Sequence, residues 1–187
     1  AAGTTGFNYS NNLNGVSINV GYVPAGADGT KQSGSVGTTG AGTGSSSIAL
    51  SGSPMDGLTV YAGTGTLANA TTVEQEDDLM TYAAVYAYGP VTVGYQFSEK
   101  DVYNTTTDYD TTGVSIAYAI NDNLSISYAE RTVDIGGATL DEEQTGISIG
   151  YSMGGMTIKA HNNATDNVAG AATDDQEHTE IAVSFAF

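Results

Sequence analysis

The sequence predicts an all-β fold, an antiparallel up-and-down transmembrane β-barrel of about eleven strands, and three observations predict it. First, large apolar residues recur with a period of two, as in Val91, Val93, Tyr95 and Phe97, or Val114, Ile116, Tyr118 and Ile120. The residues between them are small or polar, so each segment reads as a strand with one large apolar side. Second, the connections alternate in length. Short turns fall at 11–15, 54–57, 89–90, 121–123 and 153–155; long connections fall at 24–44, 67–78, 101–110, 135–142 and 165–177. Third, charge follows the same division. Of 21 acidic residues, only Asp56 and Asp122 sit in short turns. Membrane barrels have short turns on one side and long loops on the other. A soluble sandwich has no reason to sort turn length and charge together.

Taken in order, residues 4–10 form a weak first strand, and Asn11-Asn12-Leu13-Asn14-Gly15 turns the chain with residues that tolerate positive φ. Val16, Ile18, Val20 and Tyr22 then alternate with Ser17, Asn19 and Gly21. Residues 24–44 are a long Gly/Ser/Thr-rich loop within a single domain spanning 1–187. A strand over 45–52 carries Ile48 and Leu50, and Pro54-Met55-Asp56-Gly57 leads into Leu58, Val60 and Ala62. After the acidic connection with Glu74, Glu76, Asp77 and Asp78, the residues Tyr82, Ala84, Tyr86 and Tyr88 share a side. Gly89-Pro90 turns the chain into the Val91 strand, and Asn121-Asp122-Asn123 joins the Val114 strand to Leu124, Ile126 and Tyr128. Ile147, Ile149 and Tyr151 run to Met153-Gly154-Gly155, and Met156, Ile158 and Ala160 return. In the last strand Ile181, Val183, Phe185 and Phe187 oppose Ala182, Ser184 and Ala186. Tyr88, Tyr118 and Tyr151 lie near short turns, and Tyr22 near a long loop, as two aromatic belts at membrane interfaces would place them.

Composition bounds the function. The 187 residues contain no cysteine, so disulfides and thiolate metal sites are excluded. With 25 Gly, 12 Tyr and no Trp, strands and turns are favoured over helices. A net charge of −17, with four basic residues, argues against nucleic acid as a partner. No run approaches the roughly 18 apolar residues of a membrane helix, but barrel strands need far shorter segments. The start, Ala1-Ala2-Gly3-Thr4-Thr5, lacks the basic and apolar regions of a secretory leader, as a mature form or a fragment would. Nucleophile elbow, phosphate loop and metalloprotease motifs are absent. Ser127 and His161 fall on the small-residue side of their strands without an acid at mid-strand beside them, so an enzyme is not expected.

Four segments carry a family resemblance: Tyr88-Gly89-Pro90-Val91-Thr92-Val93-Gly94-Tyr95, residues Tyr118 to Tyr128, residues Tyr151 to Ala160, and residues Thr179 to Phe187. In this order and spacing they resemble the C-terminal portion of a Gram-negative general porin of alphaproteobacterial type. The similarity is clear from about residue 57 to 187 and weaker from residue 7. The resemblance implies a sixteen-stranded trimeric barrel in the outer membrane, with both chain ends periplasmic, in contact with membrane lipid and lipopolysaccharide. Eleven strands then correspond to strands six to sixteen, with about five N-terminal strands and the inward constriction loop preceding Ala1. An open sheet of eleven strands leaves edges that closure must satisfy, so a fragment, a companion chain or a smaller barrel are the alternatives. Ile181, Val183, Phe185 and Phe187 resemble the terminal signal by which such barrels are recognised for insertion.

If the large sides meet lipid, parity assigns the opposite sides to water. Gln96 and Lys100 then line the lumen on one strand, Arg131 on another, and Lys159 and His161 on a third. Three of the four basic residues thus point inward, as an electrostatic wall that tunes ion selectivity, or else as groups that are simply solvated or that pair with nearby Glu99, Glu130 or Glu180. His161 and His178 lie too far apart in sequence to form a recognisable metal motif. The acidic clusters around Glu74–Asp78, Asp141–Glu143 and Asp174–Glu177 offer Ca²⁺ or Mg²⁺ a surface, without EF-hand spacing, and no resident cofactor is expected.

Two functions follow. One is a channel for passive diffusion of small hydrophilic solutes and ions. The other is an acidic, β-rich surface-layer or anchoring protein whose loops bind divalent ions. The first requires that Phe185, Ile149 and Tyr118 be open rather than packed into a dry interior.

Overall fold

The structure, a computed structural model, describes residues 6–23, 44–68, 76–103 and 107–186. Most of the Gly/Ser/Thr-rich loop, with Lys31, lies outside the described residues, as do Thr4, Thr5, Glu74, residues 104–106 and Phe187. Eleven strands follow one another: β1 (Phe7–Leu13), β2 (Val16–Val23), β3 (Ser45–Met55), β4 (Leu58–Ala68), β5 (Glu76–Tyr88), β6 (Val91–Asp101), β7 (Tyr109–Asn121), β8 (Leu124–Ile135), β9 (Glu142–Met153), β10 (Met156–Asp166) and β11 (Gln176–Phe185). They form one sheet in sequence order, the meander expected of an up-and-down barrel fold. From β3 onward each strand has 10 to 13 residues, enough for the roughly 9–11 that a tilted membrane-crossing strand needs.

Sequence order and hairpin geometry explain this topology. The first turn is shorter than the sequence suggested. Phe7 pairs with Tyr22 and Leu13 with Val16, so β1 continues through Asn11 and Asn12. Only Asn14 and Gly15 turn, at φ 52° and 84°. An Asn-Gly pair with both φ positive is the two-residue hairpin loop whose twist matches the flanking strands. At Asn121-Asp122-Asn123 the Asn121 Oδ1 accepts the N–H groups of Asn123 and Leu124, at 2.9 and 3.0 Å, and closes the turn by its side chain. The acidic connection also contracts: β4 runs to Ala68 and β5 begins at Glu76, so Asp77 is a strand residue.

The chain divides into two compact units, Ala1–Tyr82 with Ser98–Tyr109, and Ala83–Phe97 with Asp110–Phe187. In the first, the β2–β3–β4 registers put Val20, Ile48 and Thr64 in one row and Gly21, Ser47 and Gly65 in the next. In the second, the β8–β11 registers give two kinds of row. Ile126, Ile149, Ala160 and Ile181 pair across the sheet, as do Leu124, Tyr151, Ile158 and Val183. On the other side run Ser125, Gly150, Lys159 and Ala182, between these two rows, and Ser127, Ser148, His161 and Glu180, beyond the Ile126 row.

Among the described residues neither unit has a second layer. Among the described residues Val133 is the buried apolar side chain and Asp77 the buried polar one. Phe185, Ile149 and Tyr118 are 60, 47 and 44% exposed. In β9 the burial pattern is inverted relative to a soluble sheet: Ile147 and Ile149 are exposed while Ser148 and Gly150 are half-buried. Monomeric soluble proteins seldom leave so continuous an apolar surface to water.

Candidate functional site

The small-residue sides of the strands carry the candidate residues. In the first unit Lys100 follows Ser98 on β6, and Ser98 Oγ lies 2.8 Å from Thr81 Oγ1 on β5. Four residues before Thr81 on the same side of β5 is Asp77. Its Oδ2 stands 3.2 Å from Lys100 Nζ, and its Oδ1 accepts the Tyr103 N–H at 3.1 Å. Lys100 is therefore ion-paired, with a partner that is neither Glu99, Glu130 nor Glu180. The pair is asymmetric: the Asp77 side chain is 8% exposed and that of Lys100 38%.

In the second unit Gln96 is exposed on β6, on the same side as Gly94, whose Cα faces Ser115 Oγ of β7. Arg131 on β8 pairs with Gln144 on β9, and its Nη1 donates to Gln144 Oε1 at 3.2 Å. Gln144 Nε2 donates to Glu142 Oε1 at 2.6 Å, and Glu142 Oε2 accepts the N–H of Ala169 at 2.9 Å. This chain of polar contacts runs from a strand face into the connection between β10 and β11. There the 3-10 turn Val168–Gly170 is held by Asn167, whose Nδ2 donates to Asp141 O and whose N–H donates to Asp175 Oδ1. The two long connections of this unit are thereby tied to one another.

Lys159 is exposed on the small-residue side of β10 and, among the described residues, has no ion-pair partner within 4 Å. Two positions further on β10, His161 pairs with Glu180 of β11, and its Nε2 lies 3.6 Å from Glu180 Oε2. His178 Nε2 lies 3.7 Å from the same oxygen, and the two imidazole centroids are 6.2 Å apart. Sequence spacing separated these histidines; strand register brings them together. Among the described residues this trio, and not the acidic connections, gathers three metal-ligating side chains with their donor atoms within 4.8 Å of one another.

Ile181, Val183 and Phe185 project from the opposite side of β11, in the rows of Ala160, Ile158 and Met156. The apolar rows end toward the long connections. One row beyond Tyr128 and Ile147, that side carries Glu130, Thr145, Ala164 and Glu177, and Tyr128 Oη donates to Glu130 Oε1 at 2.5 Å.

A single-layer meander with an exposed apolar band on one side and polar, charged side chains on the other defines the class of β-barrel membrane proteins. Residues 1–157 match the family model described as Gram-negative porin, and the chain belongs to that family, in the bacterial outer membrane. Nearly all of β10 and the whole of β11 lie beyond the match. The fold is similar to a porin structure, with a TM-score of 0.71 at 15% identity over 96% of this chain and 60% of that one. It is similar to the anion-selective porin from Comamonas acidovorans, with a TM-score of 0.71 at 12% identity over 96% and 58%. OccAB4 of Acinetobacter baumannii gives 0.73 at 12% identity over 97% and 55%. The chain thus spans little more than half the length of these proteins. No curated protein matches it.

Proposed function

We propose that this chain is the C-terminal part of a single porin barrel domain, a water-filled channel for passive diffusion of small hydrophilic solutes and ions rather than an enzyme. The open large apolar side chains of the sheet, with the inverted exposure of β9, carry the proposal. In β9 Ile147 and Ile149 are open while Ser148 and Gly150 between them are half-buried, and in β7 Val114, Ile116, Tyr118 and Ile120 are open, as strands between hydrocarbon and water require. On the apolar side the partners are membrane lipid and lipopolysaccharide, and the assembly is a homotrimer of sixteen-stranded barrels. On the water side Gln96, Lys100, Arg131, Lys159 and His161 line the passage. Ile181, Val183, Phe185 and Phe187 serve as the barrel-insertion signal.

The decisive experiment is conductance of the full-length protein in a planar lipid bilayer under a salt gradient. Stepwise, ohmic conductance is the expected result. Neutralising Lys100, Arg131 and Lys159 together is expected to move the reversal potential toward cation selectivity. A protein that stays soluble without detergent, fails to conduct and assembles only with Ca²⁺ would return the surface-layer reading.

A further inference from the structure

The sequence contains two histidines, and the β10–β11 register places both on one side of the sheet around one carboxylate. We propose that His161, His178 and Glu180 form a binding site for a divalent transition-metal ion of the Zn²⁺ class. His161 is directly opposite Glu180, and His178 is two residues from Glu180 on the same strand, so alternation points all three the same way. Tetrahedral zinc bonds of about 2.0–2.1 Å set neighbouring donors roughly 3.3 Å apart. The two Nε2–Oε2 separations, 3.6 and 3.7 Å, need only a few tenths of an ångström of side-chain adjustment. All three donors already fall within 4.8 Å of one another.

The donor chemistry selects the ion. Two imidazoles and one carboxylate suit Zn²⁺, Cu²⁺ or Ni²⁺, whereas Ca²⁺ and Mg²⁺ take oxygen ligands. The trio also differs from the acidic connections in where it lies: on a strand face, its backbone fixed by ladder hydrogen bonds. Its exposure leaves the remaining coordination positions to water or to a small anionic solute. Lys159 is the nearest cation on the same side of β10, while the β9 residues facing His161 and Asn163, Ser148 and Gly146, carry no charge. Glu180 offsets part of the charge that an ion would bring.

Equilibrium dialysis of the full-length, tag-free protein in detergent against ZnCl₂ tests the site without relying on conduction. Compared with the double variant His161→Ala/His178→Ala, the wild type is expected to hold one additional Zn²⁺ per chain. Each single histidine variant, and Glu180→Gln, is expected to weaken that binding by roughly tenfold or more. Lys159→Gln is expected to leave it intact or tighten it. A second measurement needs no variant: the electron paramagnetic resonance spectrum of Cu²⁺ added at one equivalent should show coupling to two imidazole nitrogens. Equal Zn²⁺ uptake by wild type and double variant, or a copper spectrum without nitrogen coupling, would overturn the site.

Discussion

Lys100 and Lys159 are the same residue type, each on the small-residue side of its strand, yet their surroundings differ. Lys100 lies against Asp77, a nearly buried carboxylate that is also fixed by the Tyr103 N–H. Lys159 is exposed beside His161, without an ion-pair partner among the described residues. Strand parity therefore says where a charge points, but the neighbouring strand decides whether that charge is felt in the water beyond it. The first region uses its lysine to hold the start of β5 to the end of β6. The second leaves its lysine exposed and gathers its imidazoles around Glu180.

The strongest way to break the contrast is to move a charge through the sheet. Ile149→Arg places a cation in the apolar row next to that of Lys159, and is expected to cost about 3 kcal/mol of folding stability in lipid vesicles. Lys159→Arg, on the other side, should stay within about 0.5 kcal/mol. Urea titrations followed by far-ultraviolet circular dichroism would compare them, and equal losses would erase the distinction between the two sides. Asp77→Ala should come next, at about 2 kcal/mol, because it strands the Tyr103 N–H and leaves Lys100 without its partner.

A selectivity measurement sharpens the same contrast. Lys159→Gln should shift the zero-current potential toward cations. The double variant Asp77→Asn/Lys100→Gln, which removes a pair of opposite charges, should move it less. The smallest expected effect concerns Ala169, which holds φ 55° in the turn that donates to Glu142. Ala169→Gly should relieve up to about 1 kcal/mol of left-handed strain, read as slower proteolysis of the connection between β10 and β11. Faster cleavage would show that the turn is held by packing rather than limited by its backbone.

Much of this arrangement is legible in the sequence because the side-chain period in a strand is two and tight turns demand particular residues. Ile147, Ile149 and Tyr151 declare one side of β9 without reference to any partner. Asn14-Gly15 marks a hairpin, though the run of asparagines before it conceals that β1 continues to Leu13. The ion pair and the histidine trio are hidden in the sequence for one shared reason. Each depends on how far one strand slides along the next, and that register is set across connections whose length in space cannot be read from residue count. Asp77 reads in sequence as part of an acidic loop, whereas β5 starts one residue before it, at Glu76. His161 and His178 are brought together only by the register that sets Asn163 opposite His178.

The lack of a packed interior among the described residues has a consequence for sequence variation. In a protein held together by an interlocking core, each large side chain must fit its neighbours, and substitutions are tolerated mainly in compensating sets. Here backbone ladders carry the architecture and most side chains need only be greasy or wettable on alternate positions. A polypeptide under so loose a rule can take very different letters and still trace the same path, and solved structures only 12 to 15% identical share this fold with TM-scores of 0.71.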